Sequence, residues 1–469
     1  MNHHQGKAQE SEKNELQAQS ASLDHPRTLR EQDDVPLAGL IEIAEALMVD
    51  SPSKAESEES KAKEEVIVSS PSTEEKEVTL PTPEIPDGGA RAWRCLFGSF
   101  MISIVCYGVL NTFGVFQEYY RANQLSDRSL QDISWIGSLQ LCLILLMGSV
   151  SGPLFDAGYF RYLIGCGGAL YVFCLFMTSI AMEYYQYLLA QGVGVGISVG
   201  LLFTPSLSVL AHHFKRLRNL VFGIFAAGAS VGGVVFPIAM QRLLVQVGFA
   251  WSIRILAFIV LVCVSTGFLF CTTRLPPRKN SRVLDVRVFK DIAYTFLVVG
   301  SGVVGLGLYL PLSYGVTFAV DNGMSQNLAF YSLAILNACS ALGRTIPNAL
   351  ATKVGPINVL ITSCAISSIS ICLWVLAGSN VGILVFDAFF GVFSGTYVSC
   401  IKTGLRLGML YFTTSFFWLA SSPVQGALIR LHNTYWPAAV YSGSCAVLGV
   451  VLMLIARRMV VRERGSSRV

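Results

Sequence analysis

Charge is scarce in this chain. Asp, Glu, Lys and Arg make up 14% of its 469 residues against 53% hydrophobic, and the mean hydropathy is +0.55, whereas a soluble domain carries about 25% charged residues. This excludes a soluble globular protein and points to a polytopic membrane protein. Histidine is nearly as rare: the six present all lie outside the apolar segments, which excludes a histidine proton relay within a membrane. The 12 cysteines occur singly between Cys95 and Cys445 with no C-x-x-C spacing, so they read as small buried hydrophobes rather than metal ligands. There is no Asn-x-Ser/Thr sequon. No Ser-His-Asp set, metal cluster or phosphate loop lies in or beside the apolar segments, which argues against an enzyme. No cofactor, no metal and no nucleic-acid partner is expected. No apolar leader opens the chain, so the first spanning helix is expected to serve as the insertion signal.

What charge there is divides into two regions. Residues 1–92 hold 9 Lys and Arg against 20 Asp and Glu, leaving 25 against 10 for the remainder. The Glu- and Ser-rich residues 1–84 cannot bury enough apolar surface to offset the entropy of ordering, and predict a disordered acidic cytosolic tail. Within it, residues 38–49 have the pattern of a short amphipathic helix. Twelve apolar windows follow, each near the roughly 20 residues a bilayer requires. Six fall in an amino-terminal half (residues 85–272) and six in a carboxy-terminal half (293–456), separated by a basic linker (273–292) and ended by a basic tail (457–469). Lys and Arg collect in alternate loops, at Arg161, Lys215 to Arg218, Arg274 to Lys290, Lys353, Lys402 and Arg406, and in the terminal cluster. This bias places both termini in the cytosol, most simply at the plasma membrane.

One charge breaks the pattern. Arg344 stands in the middle of an apolar window, 328–350, where a cation costs roughly 3 kcal/mol or more unless it faces a polar cavity or a counter-ion. It reads either as an anion-binding group in a transport pathway or as one side of an ion pair between helices. Asp387 is the one acid squarely inside a predicted window. Counting from helix ends at 1.5 Å per residue across a layer of about 30 Å leaves roughly 9 Å of axial separation between it and Arg344. Its candidate roles are a protonatable coupling group, a pore-lining polar group, or the partner of Arg344.

A duplication is faintly visible. Gly152-x-x-x-Asp156 corresponds to Asn348-x-x-x-Thr352 at an offset of 196, and Gly192-x-x-x-Gly196 to Gly391-x-x-x-Gly395 at an offset of 199. Internal repeats built around a midplane site are a transporter device. Small residues four apart, as in Gly192, Gly196 and Gly200 or Gly228 and Gly232, read chiefly as close helix packing in lipid. The Gly228 stretch also offers a hinge, or a resemblance to an antiporter signature.

Six plus six helices in parallel relation resemble the major facilitator superfamily. GPLFDAGYFR resembles the signature between its helices 2 and 3 through Gly152, Asp156, Gly158 and Arg161, departing at Ala157, where a basic residue is usual. The resemblance implies that Asp156 helps hold a cytosolic gate shut against the amino end of helix 11, which carries Lys402 and Arg406. PDGG before the first helix, YFRYL, HHFKRLRN and LNACSALGRTIP together resemble the fungal branch of the monocarboxylate porter family. That resemblance implies that Arg344 contacts a substrate carboxylate. Two other charges of that family fall here at Asn111 and Ser340, so proton-coupled lactate transport does not carry over. One further departure is the join between helices 10 and 11. The six residues IKTGLR, 401–406, must supply the whole turn, within the 2 to 8 residues usual between bundled helices, where relatives of that family run through about a dozen more.

The expected function is secondary transport, by alternating access, of an organic anion, monocarboxylate or carboxylated metabolite. Arg344 would be the carboxylate clamp, with Asn111, Asn337 and Ser340 setting specificity and protons the candidate coupling ion. Direction is left open, and so is whether an accessory subunit takes part. The alternatives are an efflux pump for a fungal secondary metabolite and a non-transporting nutrient sensor of the same fold.

Overall fold

The structure, a computed structural model, describes residues 88–215, 217–277, 286–400 and 407–464. The acidic tail, the segment 38–49, Lys402 and Arg406 lie outside the described residues, as does part of the linker. The spanning helices are α1 (Ala90–Gln124), α2 (Leu130–Asp156), α3 (Phe160–Ile180), α4 (Tyr184–His212), α5 (Arg218–Gln246) and α6 (Gly248–Phe270) in the first half. The second half has α7 (Ile292–Asp321), α8 (Gln326–Val354), α9 (Pro356–Leu373), α10 (Asn380–Cys400), α11 (Leu407–His432) and α12 (Trp436–Arg464). Ten are long and apolar enough to cross a membrane; α8 and α11 fall short of that composition. Both line the cavity described below, and α8 carries Arg344. The protein is an all-α membrane protein of twelve transmembrane helices in two six-helix halves.

Local chemistry sets the helix ends. Ser129 and Asp132 form a reciprocal capping box at the start of α2, the Asp132 amide donating to Ser129 Oγ at 3.2 Å, and Asp291 accepts from the Tyr294 amide at the start of α7. These contacts satisfy amides that have no partner within the helix. At the far end of α2 the chain turns at Gly158, whose φ of 94° suits a residue without a Cβ. Several helices run further than the apolar windows indicate. α1 continues to Gln124, α8 to Val354, α11 to His432 and α12 to Arg464, because backbone hydrogen bonding does not stop where hydrophobicity does. The predicted boundary at 456 between last helix and tail thus falls inside α12. The end of α10 at Cys400 lies within a residue of its expected place, and the short join that follows is outside the described residues.

The halves repeat one packing pattern. In the first, α1 packs on α5 and α6, α2 on α4, and α3 on α4 and α6; in the second, α7 packs on α11 and α12, α8 on α10, and α9 on α10 and α12. The two halves meet through α2 with α11 and α5 with α8, which are equivalent pairs under the same exchange. Both central helices break at equivalent places. α1 breaks at Thr112, whose Oγ1 donates to the Gly108 carbonyl at 2.7 Å, and α7 at Tyr309, just before Pro311.

Glycines set the spacing inside each half. A Cβ on Gly343 of α8 would collide with the Val392 carbonyl oxygen, one on Gly391 with that of Leu336, and one on Gly395 with that of Ser340. On the other side, Gly196 and Gly200 stand against the carbonyls of Gln140 and Ile144 at 2.8 and 2.7 Å from an added Cβ. The glycine stripes are packing surfaces between helices, as lipid requires when burial from water no longer drives association. On the outer surface the order inverts, with Val262, Leu269, Val385 and Phe389 at least half exposed.

Candidate functional site

Between the halves lies a cavity, with about 960 Å³ of space not filled by atoms once its solvent-open mouth is included. Four residues expected to act together line it together: Asn111 from α1, and Asn337, Ser340 and Arg344 from α8. The three on α8 fall at spacings of three and four, so one helix face carries them. Their helix is held against α10 by the glycine contacts above, and Thr396 adds a hydrogen bond from its Oγ1 to the Gly343 carbonyl at 2.8 Å. The residue next to Arg344 is thereby fixed to a neighbouring helix.

Arg344 is 6% exposed, and the phenol of Tyr107 on α1 is an electrostatic neighbour from the opposite half. The rest of the wall is largely aromatic and aliphatic, with small polar groups among them. Tyr309 packs on Trp418 with ring centres 5.5 Å apart, and Tyr397 stacks on Trp418 at 6.5 Å and 14°. Tyr397 is fixed in turn by donating to the Ser301 carbonyl at 2.8 Å. Tyr411, Thr414 and Ser394 complete that side, while the first half contributes chiefly Leu110, Leu141, Leu145 and Tyr107. The second-half wall therefore holds most of the polarity and, among the described residues, the one charge that lines the cavity. These rings were not legible as site residues, because aromatics in an apolar window look like core.

Asp387 is elsewhere. It is buried, 3% exposed, beside the Ser332 hydroxyl, and does not line the cavity. The contacts of Leu336 with Gly391 and Ser340 with Gly395 fix the register of α8 against α10. That register sets Asp387 twelve residues, about 18 Å of helix rise, from Arg344 rather than the roughly 9 Å expected. The shorter figure assumed helices no longer than the hydrocarbon layer, and α8, with 29 residues, exceeds it.

The turn between α2 and α3 has the predicted shape: the Gly158 amide donates to the Phe155 carbonyl at 2.9 Å and the Tyr159 amide to that of Leu154 at 3.1 Å. Gly152 lies within α2 near Thr204 of α4, and Asp156 is exposed at the helix end. Arg161 lies over the Phe268 ring of α6 at 5.9 Å, a contact within its own half.

The opposite end of the bundle holds a network that the sequence reading missed. Glu118, buried on α1, accepts from Thr317 of α7 at 2.9 Å. Arg121 reaches Asp321 of α7 at 3.2 Å and Glu118 at 3.7 Å. Asp321 also accepts from Tyr435 at 2.6 Å. Burial, reinforced by this hydrogen bond, pushes the Tyr435 phenol up, so that it stays a donor. Gln241 of α5 donates to Asn327 of α8 at 2.6 Å. These contacts latch the halves together at this end. A signal did exist: Glu118 and Thr317 are 199 residues apart and Arg121 and Asp321 are 200 apart, matching the repeat offset. Because α1 runs on to Gln124, Glu118 is, with Asp387, a buried acid inside a spanning helix among the described residues.

Residues 95–403 match the profile of the Major Facilitator Superfamily. The chain is 37% identical over 407 residues to "MFS-type transporter 1" of an Ophiocordyceps species, covering 82% of this chain and 91% of that one. It is 36% identical over 419 residues to "Aspyridones efflux protein apdF" of Emericella nidulans, covering 87% and 84%. A crystal structure of the peptide transporter POT superposes with a TM-score of 0.62 at 14% identity, covering 81% of this chain and 96% of that one, a likeness of fold alone. Twelve helices in two equivalent halves, a cavity at their junction and this match over most of the chain agree: the protein is a transporter of the Major Facilitator Superfamily.

Proposed function

We propose that the protein exports an amphipathic organic anion, a carboxylated or otherwise acidic metabolite, with Arg344 as its anion clamp. The observation that carries this reading is the cavity: a single guanidinium among its lining residues, in a wall otherwise of Leu, Tyr, Trp and small polar groups. A three-carbon acid would leave most of that apolar wall wet, whereas a larger one with rings would cover it. The monocarboxylate-porter resemblance supports the acid at Arg344. The efflux role named for the Emericella nidulans relative supports the outward direction.

In this reading both termini are cytosolic and the α1–α7 latch faces outward. Asp156 meets the amino end of α11, with Lys402 and Arg406, when the inner gate closes. Burial of Asp387 between α8 and α10, away from the cavity, favours proton coupling over lining the pore. The test is transport by purified protein in proteoliposomes, using matched aromatic acids and their neutral amides. Acids moving while amides do not is the expected result; equal movement of both would end the clamp reading. Deleting residues 1–80 tests the sensor alternative, since a transporter keeps its flux.

A further inference from the structure

Asn111, Asn337 and Gly233 meet where α1, α5 and α8 come together. A Cβ added to Gly233 of α5 would lie 2.9 Å from Asn111 Nδ2 and 2.9 Å from Asn337 Oδ1. Both amides line the cavity, and they come from opposite halves. The Asn337 amide spends one N–H on the Leu333 carbonyl at 2.9 Å, which fixes its orientation. Asn111 Nδ2 is buried and finds no acceptor among the described residues. A buried donor left unmet is costly, which favours a ligand acceptor there. The position also has a backbone cause, since Asn111 is the last residue before the break of α1 at Thr112.

We infer that this amide pair is a second recognition point of the cavity, taking a neutral hydrogen-bond acceptor of the substrate: a ketone, amide or lactone carbonyl. The inference rests on the reading of Arg344 as the anion clamp. Asn337 precedes Arg344 by seven residues on one face of α8, which separates the two points by about 10 Å of helix rise. The substrate class is then an organic anion with a carbonyl set apart from its acidic group by an apolar spacer. The carbonyl accepts from Asn111 Nδ2, and Leu336 and Tyr309 cover the spacer. Gly233 is the specificity-determining residue on the third helix, because any side chain there would push the two amides apart or out of the cavity. Recognition through groups from both halves also ties the ligand to their relative position. A substrate that satisfies Asn111 and Asn337 together holds α1 against α8.

Calorimetric titration of the purified full chain in lipid nanodiscs tests this with two probes, 6-oxo-6-phenylhexanoate and 6-phenylhexanoate. The probes share a carboxylate and a chain length and differ by one ketone. In the wild type the oxo acid binds about tenfold more tightly, the scale of one net hydrogen bond together with relief of a stranded donor. In Asn111→Leu, which keeps the volume and removes the donor, that ratio falls to about one; Gly233→Ala lowers it in the same direction. A thermal melt alongside each titration confirms that the variant is folded. Equal affinity of the two acids for the wild type, or a ratio unchanged in a folded Asn111→Leu, overturns the inference while leaving Arg344 as the clamp. If neither acid binds the wild type, the clamp reading falls and this one with it.

Discussion

At the latch, where α1 meets α7, two acids share one cation and two hydroxyl groups donate to the acids. Deeper between the same two halves, the cavity is lined, among the described residues, by a single charged side chain. The latch closes on itself: Arg121 stands between Glu118 and Asp321, and Thr317 and Tyr435 complete the acceptors. Arg344 instead sits in a wall of rings and aliphatic chains that has room for a ligand. A charge closed in by its neighbours holds a conformation, and a charge that lines a cavity with space beside it can also meet a ligand. The two sites also differ in cost. Arg121 and Asp321 are 40% and 37% exposed, so their pair is worth about 0.2–1 kcal/mol and can open readily. Arg344 is buried, and its removal is expected to matter far more.

The largest effect should come from the cavity. Arg344→Ala leaves a folded protein in the membrane and lowers anion flux by about 100-fold or more, the range for losing a buried charge contact of 3–5 kcal/mol. Arg344→Lys should fail nearly as badly, because a point charge replaces a bidentate fork. Flux measurements in proteoliposomes check both, and near wild-type flux in the Ala variant would erase the contrast with the latch.

Next is the packing that presents Arg344. Gly343→Ala drives a methyl group into the Val392 carbonyl, and overpacking of this kind costs about 1–3 kcal/mol. A lowered thermal midpoint of the detergent-solubilised protein, with flux falling in parallel, is the expected outcome.

A third variant separates coupling from binding. Asp387→Asn should flatten the dependence of flux on pH while exchange of labelled for unlabelled substrate survives, because Asp387 is off the cavity wall. An unchanged pH profile would move the coupling to another group, and Glu118 is the other buried acid to examine.

The smallest effect belongs to the latch. Arg121→Ala should raise labelling of a cysteine placed in the cavity, approached from the latch end, by roughly two- to fivefold, in line with an exposed ion pair. The exchange Arg121→Asp with Asp321→Arg should restore the low labelling. If Arg121→Ala cost as much flux as Arg344→Ala, the two regions would not be doing different work.

How much of this was legible in the sequence follows from where signals are local. Apolar windows gave twelve helices because the bilayer sets their length, and Arg344 announced itself because an arginine in such a window is costly. Asn111, Asn337 and Ser340 converge with it as expected, since helix periodicity orders three of the four along α8. The separation of Asp387 from Arg344 was misjudged because window length was read as helix length. The latch escaped because Glu118 and Arg121 fall beyond the apolar window of the first helix, so they resembled an ordinary loop. The ring wall of Tyr309, Tyr397 and Trp418 escaped for the opposite reason: nothing in an apolar window distinguishes an aromatic facing a cavity from one facing a helix.

The most direct test of the central claim is affinity for one aromatic acid and its neutral amide, measured by calorimetry on wild type and Arg344→Ala in lipid nanodiscs. If Arg344 is the clamp, the wild type prefers the acid by at least about tenfold, the scale of a hydrogen bond to a charged group, and the variant loses that preference while remaining folded. A folded Arg344→Ala protein that still prefers the acid as strongly as wild type would contradict it.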